Sequence, residues 1–221
     1  DFNALHGSCG AANPSFRVRY RSPRGGSLLE FVFMTDKHEL RASMRAERKR
    51  LAELDPKAAH CVAGHADDIP GVVIHAVYWP IGSELDPTPL ATRLVSEGYD
   101  LCLPVVIALD EPMIFRRWAP GDPLEPDAAG VPAPLPLAET VEPELILTPL
   151  LAFDAMGGRL GQGGGHYDRT FATLPDALRI GLAYEGQRVD RVPVETHDQV
   201  LQGVLTEVGY TRILGPHGYE D

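Results

Sequence analysis

The chain has 221 residues, of which 44% are hydrophobic and 23% are charged, a composition typical of a soluble globular domain with one sizeable core. Its longest apolar run is far shorter than the roughly 20 residues of a membrane-spanning helix, which excludes a helical membrane protein. The formal net charge of −11 argues against general nucleic-acid binding, because a phosphate backbone would be repelled. A local cluster of basic groups is still compatible with a small anionic ligand.

The three cysteines are too few and too widely spaced for a disulfide scaffold. Cys9, Cys61 and Cys102 form no CxxC pair, so the sequence also gives no zinc ribbon. We therefore expect a reduced, cytoplasmic protein.

Residues 1–33 differ from the rest of the chain. They lack strong periodicity and contain an arginine-rich stretch at 17–24, followed by an apolar stretch at 28–34. The apolar stretch is short and includes Glu30, which argues against a signal peptide. We expect residues 1–33 to be a disordered N-terminal extension and residues 34–221 to form a single domain.

A helix is predicted over residues 37–54. Asp36 and Glu39 have the spacing of a capping box at its start, and Asp55 followed by proline ends it. Its apolar stripe consists of Leu40, Met44 and Leu51. A second helix is expected over residues 56–66.

Beyond residue 70 the pattern alternates between apolar strands and helices. The run at 71–79 is continuously apolar, as in a buried parallel strand. Further strands are predicted at 100–106, 113–118, 144–148, 178–184 and 203–207, and further helices at 89–97 and 164–174. This alternation indicates an α/β sandwich with a mostly parallel sheet.

The most informative stretch is glycine-rich and lies between a predicted strand and a predicted helix. Six glycines fall between Gly157 and Gly165. Glycines expose backbone N–H groups, and a helix N-terminus adds further donors, so the stretch predicts a phosphate-binding loop to which Arg159 adds charge. It completes neither GxGxxG, because His166 stands where a glycine is required, nor a P-loop. A flexible surface turn is the alternative.

Residues 159–169, preceded by 149–154, resemble the signature of the 5-formyltetrahydrofolate cyclo-ligase family, whose members are also called methenyltetrahydrofolate synthetases. Further similar motifs lie at 37–41, 78–84 and 192–198. The resemblance implies a three-layer α/β/α fold. It also implies an ATP-dependent reaction that closes 5-formyltetrahydrofolate to 5,10-methenyltetrahydrofolate and releases ADP and phosphate.

By this resemblance, Lys37, Arg159 and Tyr167 are the candidate catalytic residues. Lys37 and Arg41 would reach the nucleotide phosphates. Without the resemblance, both would be interpreted as solvated charges on a basic helix that also carries Arg45, Arg48, Lys49 and Arg50. The full candidate ATP-binding set is Lys37, His38, Glu39, Leu40, Arg41, Arg159, Leu160, Gly161, Gln162, Gly163, Gly164, Gly165, His166 and Tyr167.

The resemblance also assigns a metal pair and a folate pocket. Asp168 and Asp198 correspond to Mg²⁺ ligands, and Mg²⁺ prefers such oxygen donors. Taken alone, Asp168 could interact with its own helix dipole, and Asp198 could cap a turn. Glu84 corresponds to the folate contact, where a carboxylate can accept paired hydrogen bonds from the pterin, with Ile81 and Trp79 beside it. Its alternative is an acid near the start of the next helix.

Two positions depart from the family pattern. Many relatives have two tyrosines where this chain has His166 and Tyr167, and Gln202 stands where an acid is common. If that acid assists the metal, metal binding is expected to be weaker here.

The expected partners are ATP and 5-formyltetrahydrofolate, with Mg²⁺ as cofactor, no nucleic acid and no membrane, in a monomer or weak dimer. Two alternatives stay open: a non-catalytic folate- or nucleotide-binding homologue, and a sugar-phosphate isomerase that binds phosphate in the same loop.

Overall fold

The computed structural model describes residues 17–20, 29–32, 36–195 and 198–213. In the N-terminal segment, β1 (Arg17–Tyr20) and β2 (Leu29–Val32) pair antiparallel. The sequence predicted a disordered extension over residues 1–33 and did not predict this strand pair. The boundary at residue 33 stays a prediction.

The rest of the described chain alternates between strands and helices. The helices are α1 (Lys37–Leu54), α2 (Ala58–Gly64), α3 (Thr88–Ser96) and α4 (His166–Thr173). The strands are β3 (Ile74–Ala76), β4 (Asp100–Val105), β5 (Ile114–Arg117), β6 (Leu124–Pro126), β7 (Pro132–Pro134), β8 (Leu145–Pro149), β9 (Ala152–Phe153), β10 (Arg159–Leu160), β11 (Leu178–Leu182), β12 (Gly203–Thr206) and β13 (Gly209–Arg212). Among the described residues, no helix is long and apolar enough to cross a membrane.

Seven of these strands form one sheet in the order β13-β12-β11-β8-β3-β4-β5. The five central strands are parallel, whereas β5 and β13 pair antiparallel at the two edges. Strand order runs one way from β3 to β4 and the other way from β8 to β12. The prediction of a mostly parallel sheet is confirmed, and the reversal of order lies between β3 and β8.

Each face of the sheet has its own core. Leu103 and Leu147 lie on the face that packs against α2 and α3. Cys102 and Ile146, one position along, lie on the opposite face against Phe171 of α4. Because successive strand residues point to opposite faces, continuously apolar strands fit a sheet covered on both sides. The single-domain, three-layer α/β/α prediction is confirmed.

Helix α1 has the predicted limits, and the Asp36 half of the predicted capping box is present at its start. The Asp36 side chain accepts a hydrogen bond from the backbone N–H of His38 at 2.8 Å. Leu40 and Met44 pack beneath the carboxyl end of the sheet against Leu151 and Leu160. The apolar stripe therefore fixes α1 at the edge where the strands end.

Two predicted elements are shorter than expected. Only residues 74–76 of the apolar run 71–79 are strand, because the following residues pass beyond the ladder while Val77 and Tyr78 stay buried. The second helix covers 58–64 rather than 56–66, and a 3₁₀ turn follows it at Ala66–Asp68. In the run 71–79, continuous apolarity thus reports burial and not the extent of regular structure.

The outer edge of β5 is covered by a short segment of the proline-rich stretch. Arg116 forms an antiparallel bridge with Thr140. The Arg117 N–H donates to the Glu139 carbonyl at 2.8 Å, and the Val141 N–H donates to the Phe115 carbonyl at 3.0 Å. Part of the predicted loop therefore completes the hydrogen bonding of an edge strand.

His75 of β3 makes stability depend on pH. It packs edge-on against Tyr99, and burial lowers its pKa despite the opposing effects of Pro70 and Glu144. The stability that neutral His75 contributes is complete above the unfolded pKa of about 6.5 and is lost as the pH falls through the folded-state pKa.

Between about pH 7.5 and about pH 5, we expect the melting temperature of the His75→Leu variant to fall less than that of wild type. Exposed His60→Gln is the control, and identical pH slopes in all three proteins would contradict this role.

Candidate active site

A cavity of about 610 Å³ opens at the carboxyl ends of β3, β4 and β8. Tyr78 and Trp79 line it after β3, Val106 after β4, and Pro149 at the end of β8. This is the place where strand order reverses, and open α/β sheets bind ligands in the crevice at such a reversal. The topology alone therefore favours this cavity as the functional site.

Most of the predicted site residues line this one cavity. They are Lys37, His38, Arg41, Trp79, Ile81, Glu84, Arg159, Leu160, Gly161, Gln162, Gly163, Gly164, Gly165, His166, Tyr167, Asp168 and Asp198. Glu39 and Leu40 do not line it, because Glu39 faces solvent and Leu40 is buried in the core. On side-chain placement, only Lys37, His38 and Arg41 of the first motif can contact a ligand there.

The glycine-rich stretch begins at a turn organised by the buried carboxylate of Asp154. Its Oδ1 accepts hydrogen bonds from the N–H groups of Met156 at 2.9 Å and Gly158 at 2.8 Å. Its Oδ2 accepts from the Val192 N–H at 2.8 Å. A Cβ at Gly158 would lie 2.5 Å from Asp154 Oδ2, so the close approach requires glycine. The turn leads directly into β10, which carries Arg159.

Helix α1 holds the middle of the glycine-rich loop. Arg41 Nε donates to the Gly161 carbonyl at 3.0 Å, and Arg45 Nε donates to Gln162 Oε1 at 3.0 Å. Gly165 is the N-cap of α4 with a φ of 69°, a left-handed conformation that favours glycine. Because glycine provides no capping side chain, the first N–H groups of α4 stay available to an anion.

Two basic residues of the cavity, Lys37 and Arg159, are paired with carboxylates. Lys37 Nζ lies 2.7 Å from Asp198 Oδ2 and 3.0 Å from Glu195 Oε1. Burial alone would lower the pKa of Lys37, but these two carboxylates outweigh it and raise that pKa. Arg159 Nη2 lies 2.6 Å from Asp168 Oδ1. Both cations are therefore charged and held at one end of the cavity.

Arg159 also stacks on aromatic rings. Its guanidinium carbon lies 5.4 Å from the ring centroid of Phe171 and 5.9 Å from that of Tyr167. Burial raises the pKa of Tyr167 far above its ordinary value, so its hydroxyl stays protonated. Tyr167 can act as a hydrogen-bond donor but not as a base at neutral pH.

The two predicted metal ligands, Asp168 and Asp198, face the same cavity. Asp168 Oδ1 also accepts a hydrogen bond from the Gln199 N–H at 3.2 Å, which links α4 to the segment that contains Asp198. Within the described ranges, Asp168 Oδ2 accepts no hydrogen bond, and no group of three or more His, Cys, Asp or Glu residues is arranged to hold a metal. Carboxylate oxygens fit Mg²⁺, which binds through one or two carboxylates together with substrate phosphates.

The other end of the cavity is more apolar and contains Glu84. This side chain is only 7% exposed, and its Oε2 accepts from the Ile81 N–H at 2.9 Å. Burial raises the pKa of Glu84, whereas the Ile81 N–H and the Arg48 guanidinium lower it. Trp79 and Ile81 are 37% and 54% exposed, which leaves apolar surface beside a carboxylate. A flat heterocycle with N–H donors fits this end.

The two residues that depart from the family pattern, His166 and Gln202, lie in different parts of the structure. His166 lines the cavity and its Nδ1 lies 3.2 Å from Arg169 Nη2, and burial followed by the Arg169 charge lowers the His166 pKa. Gln202 does not line the cavity: its Oε1 accepts from the Arg179 N–H at 2.8 Å. Gln202 therefore bonds within the sheet, and the expected effect on metal binding stays a prediction.

Sequence reasoning missed several residues at the site. Arg48 was counted among the basic residues off the apolar stripe of the helix and given no role, but it is buried. Its signal was available, because it continues the four-residue spacing of Leu40 and Met44. Asp127 and Met113 also line the cavity, and no local pattern distinguishes them.

Comparison with known proteins identifies the family. A model of the 5-formyltetrahydrofolate cyclo-ligase family matches residues 33–207. The chain belongs to this family. It is 34% identical over 153 residues to 5-formyltetrahydrofolate cyclo-ligase of Escherichia coli, covering 62% of this chain and 80% of that protein. It is 32% identical over 137 residues to the Haemophilus influenzae protein of that name, covering 59% and 73%.

Solved structures agree with the fold. The structure of Aquifex aeolicus 5,10-methenyltetrahydrofolate synthetase matches with a TM-score of 0.69 at 29% identity, covering 84% of this chain and 96% of the other. A Mycoplasma pneumoniae 5,10-methenyltetrahydrofolate synthetase matches with a TM-score of 0.62 at 23% identity, covering 78% and 99%. The family fold thus accounts for almost the full length of both neighbours.

The Asp154 turn can be tested by one substitution. Asp154→Asn replaces one acceptor oxygen with an NH₂ group that opposes a backbone N–H donor. We expect the free energy of unfolding to fall by about 2–3 kcal/mol, since hydrogen bonds to a buried charge are lost. Urea denaturation measures this, with exposed Asp190→Asn as the control. Equal stability of the two variants would show that Asp154 does not organise the turn.

Proposed function

We propose that this protein is an ATP-dependent ligase that closes 5-formyltetrahydrofolate to 5,10-methenyltetrahydrofolate and releases ADP and phosphate. One observation carries the proposal. A single cavity has a glycine-rich, cationic end with Lys37 and Arg159 and a more apolar end with the buried carboxylate of Glu84. The first end suits a triphosphate and the second a pterin, and family membership supports this pairing of ligands.

The reaction needs both ends because a formamide oxygen is a poor leaving group. That oxygen attacks the γ-phosphorus of ATP, the bond to ADP breaks, and the oxygen becomes a phosphate ester. N10 of the folate then attacks the formyl carbon, loses its proton, and expels phosphate as the C–O bond breaks. Phosphoryl transfer of this kind depends mainly on positioning and charge neutralisation.

We assign the phosphates to Lys37, Arg41 and Arg159, the free N–H groups of α4, and the loop 161–165. Lys37 and Arg159 would exchange their carboxylate partners for phosphate oxygens when the nucleotide binds. Asp198 and Asp168, released in this way, would hold Mg²⁺, which supplies neutralisation of phosphate charge when bound. The two cation–carboxylate pairs thus favour a nucleotide that arrives with its metal.

Tyr167 is assigned as a donor to the formyl oxygen or the transferred phosphoryl group. The Tyr167 ring centroid lies 5.9 Å from the Arg159 guanidinium carbon, and Tyr167 interacts electrostatically with Glu84, which supports a place for its protonated hydroxyl between the two ends. A positioned donor stabilises negative charge as it develops. Lys37 and Arg159 complete the catalytic set.

A continuous absorbance assay for the conjugated methenyl product tests the function directly. Growth of absorbance that requires ATP supports the proposal. No growth would favour the non-catalytic homologue. Against that alternative, one cavity contains six of the predicted ligand-binding side chains, namely Lys37, Arg41, Glu84, Arg159, Asp168 and Asp198. Turnover of a sugar phosphate without ATP would favour the isomerase.

We further propose that the enzyme acts in the cytoplasm on these two small molecules, without a nucleic-acid partner. The net charge of −11 and the free thiols of Cys61 and Cys102 support this setting. The expectation of a monomer or weak dimer stays a prediction.

Glu84→Gln separates the two ends of the cavity. It removes the charge from the pterin contact, so we expect KM for the folate to rise roughly tenfold or more while KM for ATP changes little. Steady-state kinetics with each substrate varied in turn measures this, and exposed Glu125→Gln is the matched control. Equal changes in both KM values would place Glu84 elsewhere.

Asp168→Asn tests the metal role. An amide offers one oxygen but no charge, so kcat should fall roughly a hundredfold, corresponding to a transition-state loss of ~3 kcal/mol, and added Mg²⁺ should restore it only in part. The ligand-free melting temperature should also fall, because the Arg159 side chain is only 5% exposed and loses its counter-charge. A magnesium titration identical to that of wild type would assign Asp168 to Arg159 alone.

A further inference from the structure

Arg48 is a buried cation on the apolar stripe of α1. Its side chain is 6% exposed, whereas Arg45 and Lys49 beside it face solvent. The position continues the stripe of Leu40 and Met44, where an apolar residue would be expected to pack. A guanidinium at such a position costs desolvation free energy unless acceptors surround it.

Three acceptors surround Arg48, and they come from two different loops. Nη1 lies 3.4 Å from Glu84 Oε1 and donates to the Leu150 carbonyl at 3.2 Å. Nε donates to Ser83 Oγ at 3.3 Å. Ser83 and Glu84 belong to the loop after β3, and Leu150 directly follows β8. Arg48 therefore joins α1 to the two strands between which the sheet order reverses.

We propose that Arg48 is a positioning residue for folate binding, which acts by orienting the Glu84 carboxylate from the helix side. This inference rests on the proposed function. The Ile81 N–H occupies Glu84 Oε2, and Arg48 approaches Oε1 from the helix side. Together with the Gln162 side chain, these donors use three of the roughly four acceptor positions of the carboxylate, so one position stays available to an N–H donor of a pterin.

Among the residues that the structure describes, Arg48 is the one cation that interacts with Glu84. Arg48 approaches from α1, the Gln162 side chain from the glycine-rich loop, and Tyr78 and Tyr167 from the segment after β3 and from α4. Burial raises the pKa of both tyrosines, so both are neutral at physiological pH. Removing the guanidinium leaves burial unopposed by charge, and the pKa of Glu84 rises further.

Arg48 also couples the folate end to the nucleotide end of the cavity. Eleven residues separate it from Lys37 on the same helix, which corresponds to roughly 16 Å along the axis. The same rigid element thus carries a phosphate-binding cation at its start and the partner of Glu84 three turns later.

The test compares Arg48→Met, Arg48→Lys and the matched control Lys49→Met. For Arg48→Met we expect KM for the folate to rise roughly tenfold, KM for ATP to stay within about twofold, and the acidic limb of kcat/KM for the folate to move to higher pH. Arg48→Lys keeps the charge and should restore part of the folate KM and of the acidic limb. Lys49→Met should match wild type.

Arg48→Gln keeps a donor without the charge and replaces the methionine variant if that protein does not fold. It should move the acidic limb in the same direction. Equal rises in both KM values, or an acidic limb that stays in place in the uncharged variants, would overturn the inference. Wild type without turnover would instead refute the proposed function, and Glu84→Gln with normal folate kinetics would refute the assignment of the folate end.

Discussion

The hydrogen bonds to the buried carboxylate of Asp154 are the constraint on which the rest of the site depends. Three backbone N–H groups converge on it, two from the turn at 156–158 and one from Val192. The same turn accepts a hydrogen bond from Leu201 through the Gly157 carbonyl at 2.9 Å. One anion thus fixes the start of the glycine-rich loop relative to both ends of the acidic segment 192–201. The position of Arg159 relative to its carboxylate partner follows from that fixed point.

Helix α1 contacts both ends of the cavity. Its apolar stripe packs beneath the carboxyl end of the sheet, and its polar residues reach the loop 161–162, the acidic segment and Glu84. In a chain with a net charge of −11, helix α1 therefore places Lys37, Arg41 and Arg48 at the cavity, and β10 adds Arg159. Within the cavity, carboxylates partner two cations, Lys37 and Arg159.

The sequence predicted what depends on local pattern. The limits of α1, the cap at Asp36 and the glycine-rich loop before α4 follow from spacing and residue type. Contacts that depend on strand order could not be predicted from the sequence. Lys37 and Asp198 are 161 residues apart in the chain, and their pairing requires the completed sheet. The burial of Arg48 was not predicted, because charged residues were placed off the apolar stripe of the helix. Gln202 was interpreted from family pattern alone, which did not reveal its bond to Arg179.

The segment 139–141 that covers β5 has a consequence for the behaviour of the chain at high concentration. An open edge strand presents unpaired N–H and carbonyl groups to which a strand of another molecule can add. Here those groups of Phe115 and Arg117 are already bonded within the chain, and the Arg117 side chain pairs with Asp100 and Glu139. This side of the sheet is closed to intermolecular strand addition, so the parallel core is shielded from edge-to-edge aggregation on that flank.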